Sequence, residues 1–361
     1  MRPTAMPCEN ERRPDRFAAT RSLFGEYMSI PFFSILCPSY NHSKYIGRLI
    51  DSALGQSYKD FELIIVDDCS TDETETVVRG YSESRINFYR NKRNYGINYN
   101  LQTAFEKSRG NYVIFIGSDD EFAPDYFSRL KEAIETTGKK IFYTDYLIID
   151  ENSKPWKKQP EYANKRFGGR VAALRYMFFS GNPFSSPGMA VERGLFESIL
   201  PLAPLVVQHQ DFYIHANLLF KAEYELLDFK GVHYRQFKGG NISRYSRVVD
   251  ARMREENPFV WDVFLRQKDF SFLSEIFKKE IKSSFDVCFL ALESDNAELQ
   301  GWGYTKLLES CCDPKTYERL CEERDLSYKD FLGMAKGLKK YTNWHYLRNF
   351  LRNIKCFGLF N

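Results

Sequence analysis

The chain reads as an α/β protein: a mostly parallel sheet flanked by helices, followed by a helical C-terminal extension. Three features predict this. Strand-like and helix-like segments alternate from residue 32 to about 149, the pattern of a parallel sheet with helical crossovers. The strand-like runs are apolar nearly throughout, as strands covered on both faces are. Two of them end in adjacent aspartates, Asp67-Asp68 and Asp119-Asp120, whose charges must be solvated, paired or metal-bound.

The elements follow in order. A strand over 33–37, ending Ile35-Leu36-Cys37, runs into the turn Pro38-Ser39-Tyr40-Asn41, and a helix over about 44–55 follows. The strand over 61–66, Leu63-Ile64-Ile65-Val66, leads into Asp67-Asp68-Cys69-Ser70 and a helix over about 72–80, for which Ser70-Thr71-Asp72-Glu73 has the form of a capping box. A strand over 86–89, a helix over about 97–108 and a strand over 112–116 complete the alternation, and Pro124 stands near the first turn of the next helix. A further strand-like run, Ile141-Phe142-Tyr143-Thr144-Asp145, opens a stretch with Gly168-Gly169, Asn182-Pro183 and Ser185-Ser186-Pro187-Gly188, read as loops and short helices around an acceptor pocket.

From about 251 onward Phe, Leu and Lys recur at three-to-four-residue spacing. The boundaries expected are therefore a disordered segment over 1–28, a catalytic domain over 29–250 and the helical extension over 251–361, with Met28 as an alternative start. Near the end, Leu347, Phe350, Leu351 and Ile354 share a face among Arg348, Arg352 and Lys355, a basic amphipathic pattern suited either to a core or to a membrane interface.

Composition narrows the function. A net charge of +3 over 361 residues gives no electrostatic case for nucleic acid. Cys8, Cys37, Cys69, Cys288, Cys311, Cys312, Cys321 and Cys356 include no C-x-x-C pair, so a reduced, cytoplasmic chain without a structural zinc site is expected. No run of about 18 apolar residues marks a spanning helix, and residues 1–27 lack the apolar core of a secretory signal. Aromatics, 16% of the chain, suit a core or sugar-facing platforms.

In open α/β sheets ligands bind beyond the carboxyl ends of the strands, where both aspartate pairs and the 38–41 turn fall. Asp119 and Asp120 can chelate Mg²⁺ or Mn²⁺ beside a diphosphate, or can be a solvated turn. Tyr40 can stack on a nucleobase while Asp67 accepts a hydrogen bond from a ring or ribose donor; a plain turn capped by Ser39 or Asn41 answers as well. Arg93-Asn94-Tyr95-Gly96 is either a close-approach loop for a ligand or an ordinary Asn-x-Gly turn. Asp211, after Gln208-His209-Gln210, opens a helical run to Phe220, as a cap or as a base for a hydroxyl nucleophile. Tyr234-Arg235 and the 239–244 loop, with Lys238 and Arg244, form a basic stretch able to fold over a diphosphate or to be solvated. His42, His215 and His233 have no metal-ligand spacing and read as packing or surface residues.

Five elements in register, Cys37-Pro38-Ser39-Tyr40-Asn41, Val66-Asp67-Asp68-Cys69-Ser70-Thr71-Asp72, Arg93-Asn94-Tyr95-Gly96, Gly117-Ser118-Asp119-Asp120 and Gln210-Asp211, resemble the family 2 inverting glycosyltransferases. The resemblance runs from about 32 to 243 and implies a GT-A fold of the nucleotide-diphospho-sugar transferase superfamily. It implies a metal-dependent hexosyltransferase taking a nucleoside-diphosphate sugar, a UDP-sugar first, to a glycan or lipid-linked glycan acceptor in surface polysaccharide synthesis. Pro38, Ser39, Tyr40 and Asn41 would then line the base pocket, Asp67 would bind the base, and Asn94, Gly96 and Ser118 would lie near the donor. Asp119 would approach the ribose or sugar, Asp120 would bind Mg²⁺ or Mn²⁺, and Asp211 would be the catalytic base. Two departures stand out. Gln210 replaces the frequent acidic residue before the base, and Gln236-Phe237-Lys238 lacks the histidine of a Tyr-Arg-x-His motif. Those departures also suit a non-catalytic nucleotide-sugar-binding or scaffold protein. A sugar nucleotidyltransferase would need a Gly-rich basic loop where Pro38-Ser39-Tyr40-Asn41 stands.

Overall fold

The computed structural model describes residues 30–160, 164–237 and 246–338. The expected segment over 1–28, the loop carrying Lys238 and Arg244, and the amphipathic stretch after 344 lie outside the described residues.

Strand β1 (Phe33–Ser39) is the centre of the first half-sheet, with β2 (Phe61–Asp67) on one side and β4 (Tyr112–Phe115) on the other, both parallel to it. Beyond β2 lies β3 (Ile86–Arg90), also parallel. The register sets Ser39 level with Asp67 and Leu36 level with Phe115, so the loops after β1, β2 and β4 leave from one edge. A second half-sheet adds β7 (Ala190–Glu192), β6 (Ile141–Ile149), β8 (Tyr224–Arg235) and β5 (Glu121–Phe122), giving the order β3-β2-β1-β4-β7-β6-β8-β5. Strand β7 runs antiparallel to both β4 and β6, and β5 antiparallel to β8. The sheet is therefore mixed, with its parallel part where the alternation predicted it.

Because successive side chains of a strand point to opposite faces, the apolar strands feed two cores. Ile35, Cys37, Leu63, Ile65 and Ile114 pack with α1 (Ile46–Leu54) and α4 (Tyr126–Thr137). In α1, Ile46, Leu49, Ile50 and Ala53 form the buried stripe, and each of the larger three contributes roughly 1.5–3 kcal/mol on burial. On the other face Leu36, Ile64, Val66, Val113 and Phe115 pack with α3 (Ile97–Lys107), α5 (Arg170–Ser180) and α7 (Gln210–Leu219). Val260, Trp261 and Phe264 of α8 (Arg247–Leu265) belong to this second core, as do Leu273 and Ile276 of α9 (Phe270–Phe277). Trp261 Nε1 donates to the carbonyl of Phe178 at 3.2 Å. The helical region thus shares a core with the sheet.

The helix after β2 begins differently from the expectation. Asp67 takes both the amide and the hydroxyl of Ser70, so Ser70 cannot cap, and α2 (Thr74–Arg79) starts after Glu73. Its entry is held by Asp72, which accepts from the Thr74 amide at 3.0 Å.

Candidate active site

The turn after β1 and the turn after β2 are sewn together. Asn41, at φ 55°, sends its amide to Ser70 Oγ at 2.8 Å and accepts from the Thr71 amide on Oδ1 at 2.8 Å. His42 N donates to Thr74 Oγ1 and Ser43 N to Asp72 Oδ2. Asp67 lies beneath, fully buried, held by Ser70 and by Arg90 Nε at 3.6 Å. Asp67 therefore serves the turns rather than presenting a free side chain to a base, a correction to the sequence expectation, while Asn41, which holds the second turn through Oδ1, is itself exposed. Above them Tyr40 is 45% exposed, Pro38 partly so, and the Ser39 hydroxyl is buried with no hydrogen-bond partner among the described residues.

The neighbouring Asp68 shapes the next loop. Its carboxylate accepts from the amides of Tyr95 and Gly96, each at 2.8 Å, and from Asn91 Nδ2 at 2.9 Å. Gly96 has φ +87°, a left-handed conformation costly for any residue with a Cβ, and nothing crowds it, so conformation rather than close packing explains the glycine. Asn94 is exposed beside it. Two residues into α3, Asn98 Nδ2 donates to the carbonyls of Ala203 and Val206 at 2.7 and 2.8 Å, gripping the segment that leads into α7.

The third acidic loop closes on itself. A Cβ on Gly117 would meet Asp119 Oδ1 and Asp120 Oδ2, each at 2.9 Å, so both carboxylates converge over this glycine. Ser118 is buried, its hydroxyl 2.7 Å from His42 Nδ1, and that ring nitrogen is 4.0 Å from Asp119. Burial, and then the charge of Asp119, push the Asp120 carboxyl well above the usual range, against the amide of Arg235, which donates to Asp120 Oδ1 at 2.9 Å.

Arg235 corrects another expectation. Its guanidinium is fully buried, donating to the carbonyls of Asp119 and Asp150 at 2.7 and 2.6 Å, to Ser153 Oγ at 3.2 Å and to Glu121 in an ion pair. It is a clamp on the carboxylate loop, not a ligand reaching for phosphate. The geometry follows from β8, whose last residue stands beside β5 and the end of β6.

Asp211 is reached from the second half-sheet. Gly188 N donates to the carbonyl of Phe115 at 2.8 Å, bringing the loop before β7 to the end of β4 and hence to the edge where Asp119 and Asp120 lie. Ser186 in that loop stands beside Asp211, the second residue of α7. Burial raises the Asp211 carboxyl above its ordinary range, and the Ser186 contact offsets only part of that. Glu256 of α8 accepts from the amides of Gln208 and His209 at 2.7 and 2.8 Å, fixing the start of α7 by supplying an acceptor to amides at a helix N-terminus.

Residues 34–200 match the family Glycosyl transferase family 2, a stretch from within β1 to just past α6 (Arg193–Glu197) that includes all three acidic loops. An uncharacterized glycosyltransferase of Rickettsia prowazekii (strain Madrid E) is 26% identical over 243 residues, 66% of this chain and 72% of that protein. A Bacillus subtilis (strain 168) protein named for teichuronic acid biosynthesis, TuaG, is 33% identical over 130 residues, 36% of this chain and 52% of that protein. Among solved structures, S. aureus TarS 1-349 in complex with UDP-GlcNAc aligns with a TM-score of 0.54 at 18% identity, covering 76% of this chain and 78% of that one. The likeness shows the GT-A fold.

The fold brings the loops carrying Pro38, Ser39, Tyr40, Ser118, Asp119 and Asp120 to one sheet edge, with Asn94 and Gly96 on the loop ordered by Asp68, and Asp211 stands at the start of α7 beside the loop before β7. The sequence reading missed His42 and His215 as neighbours of the acidic groups. It also missed Asn98 and Glu256, which position the loops. The His42-Ser118 contact spans 76 residues and the Glu256-His209 contact 47, distances at which local spacing carries no signal.

Proposed function

We propose that this family 2 glycosyltransferase moves a hexosyl group from a nucleoside-diphosphate sugar to an acceptor hydroxyl with inversion, Asp211 acting as general base. The observation that carries the reading is the position of Asp211: a carboxylate raised by burial, at the start of a helix, on the edge that holds the paired carboxylates. A raised carboxylate is a stronger base, and one base activating one hydroxyl for in-line attack inverts the anomeric carbon. The buried, unpartnered Ser39 hydroxyl and exposed Tyr40 ring suit the nucleoside. TarS has been solved with UDP and with UDP-GlcNAc, which favours a UDP-sugar here.

The carboxylates of Asp119 and Asp120 fit a divalent cation. They are hard oxygen donors converging over Gly117, and one or two carboxylates with substrate phosphates and water make up a usual Mg²⁺ shell. Bound there, chiefly by Asp120, Mg²⁺ or Mn²⁺ would supply charge neutralisation for the departing diphosphate. The name of TuaG supports a polysaccharide or lipid-linked glycan acceptor.

Asp211→Asn tests the reading in a transfer and donor-hydrolysis assay over a panel of UDP-sugars, with Mn²⁺ or with chelator. Turnover should fall about 10²–10⁴-fold while UDP binding by calorimetry persists. Turnover retained in the variant removes Asp211 from the mechanism. Activity unaffected by chelation removes the cation.

A further inference from the structure

Beyond β6 the chain folds back on itself as a short hairpin. Pro155 bridges to Ile149, and the Trp156 amide donates to the carbonyl of Ile148 at 3.0 Å. Asp150 builds the turn, its carboxylate accepting from the amides of Asn152 and Lys154 at 2.8 and 2.9 Å. Gln159 closes the open end: Oε1 accepts from the Ile148 amide at 2.8 Å, and Nε2 donates to the carbonyls of Ile148 and Trp156 at 2.8 and 2.9 Å. None of these bonds uses a side chain from 154–158, and all five of those residues, Lys154, Pro155, Trp156, Lys157 and Lys158, are exposed. The Trp156 indole is 42% exposed, whereas Trp261 and Trp302 are each 4% exposed. None of the three lysines forms an ion pair among the described residues. Of the two acids between 146 and 160, Asp150 is occupied by the turn amides and Glu151 lies on the turn, so the charge at 154–158 is wholly positive.

We propose that this hairpin edge docks the protein on an anionic lipid surface, Trp156 entering the headgroup layer while Lys154, Lys157 and Lys158 meet lipid phosphates. A lone exposed aromatic is ordinary on a protein surface. Here the indole, which favours the headgroup region, is set among cations that an anionic leaflet attracts, and the two together make an interfacial anchor. Shape favours a lipid surface over a soluble saccharide. Five consecutive exposed residues make a convex edge, which a soft planar surface receives, whereas sites for small saccharides are concave.

The docking is tied to the site. Arg235 donates to the carbonyl of Asp150 at 2.6 Å and to that of Asp119 at 2.7 Å, so one buried guanidinium fastens the hairpin turn to the loop carrying Asp119 and Asp120. Arg48 of α1 holds the same turn, donating to the carbonyl of Glu151 at 2.7 Å and to Ser153 Oγ at 3.0 Å. A surface bound at Trp156 is therefore held in a fixed relation to the acidic loop. This edge is separate in sequence from the amphipathic stretch after 344. It complements a lipid-linked acceptor but does not depend on Asp211 being the base.

Vesicle co-sedimentation of the full chain tests the proposal, with phosphatidylcholine alone and with phosphatidylglycerol added. Each lysine near an anionic leaflet strengthens binding roughly fivefold, so Lys154→Gln, Lys157→Gln and Lys158→Gln together should weaken binding to the mixed vesicles on the order of a hundredfold. Wild-type binding should fall as salt rises. Lipids brominated near the headgroup should quench indole fluorescence, and Trp156→Phe should remove part of that quenching. The four substituted side chains are exposed and outside the hairpin's hydrogen bonds, so the variants should keep the urea midpoint and donor hydrolysis of wild type. A triple variant that binds within about threefold of wild type, or quenching equal in wild type and Trp156→Phe, overturns the docking. Retention by soluble polygalacturonate without vesicle binding overturns it too, in favour of an acidic glycan. Asp211→Asn should bind vesicles as wild type does: a failed base assignment leaves the docking standing, and an active enzyme that ignores vesicles sinks the docking alone.

Discussion

Replacing Arg235 by methionine should be among the most damaging single changes to the stability of this protein. The guanidinium is fully buried and donates to two main-chain carbonyls, to Ser153 and to Glu121, whose side chain is only 16% exposed. Its Cζ lies 4.9 Å from the Tyr45 ring centroid, adding a cation-π contact. Methionine fills much of the space but leaves Glu121 charged and both carbonyls without their donor. Removing one partner of a buried ion pair costs about 3–5 kcal/mol, a large part of the roughly 5–15 kcal/mol that holds a typical domain folded. Urea unfolding should show that loss, and the melting temperature should fall on the order of 10 °C. Glu121→Gln combined with Arg235→Met should recover part of it, because the uncompensated charge is then gone. A single variant within about 1 kcal/mol of wild type, or a double variant no better than the single, would refute the clamp.

Two further outcomes are expected. Gly117→Ala would place a methyl 2.9 Å from both Asp119 Oδ1 and Asp120 Oδ2, so the carboxylates must part; donor turnover and cation-dependent UDP binding should drop at least about tenfold with little loss of stability, and kinetics like wild type would contradict the convergence. His215, held at about 3 by burial against an ordinary 6.5, cannot take the proton that the unfolded chain takes, so its contribution to stability is lost as pH falls from about 6.5 toward 3. The slope is up to about 1.4 kcal/mol per pH unit. Asp120 and Asp211, raised by burial, work the other way, losing stability as pH rises through their folded pKa. The informative quantity is therefore the difference between wild type and His215→Leu in urea midpoint at pH 7 and pH 4.5; the same acid loss in both would exclude His215 as its source.

What could be read in the sequence was local. Leu63-Ile64-Ile65-Val66 can only be a covered strand, and its neighbours fell at the expected positions because hydrophobic periodicity fixes them. Strands β5 and β7, two and three residues long, have no periodicity to read. The capping box over 70–73 failed for a physical reason: the Asp67 carboxylate, three residues earlier and fully buried, competes for Ser70 and prevails. Arg235 looked like a surface cation because sequence does not disclose that β8 ends between β5 and β6. His215 looked like packing because its partners, Asn182 and Ser186, come from a stretch 29 to 33 residues away.

The hydrogen bonds from Glu256 to the start of α7 bear on how such proteins can be recombined. The family match ends at residue 200, yet the helix carrying Asp211 is moored by a carboxylate from α8. A chimaera joined at the edge of the recognisable family segment, or just before α8, would keep the three acidic loops but lose the carboxylate that tethers the start of α7. In lineages that exchange C-terminal helices, α7 and α8 should accordingly travel together as one inherited block.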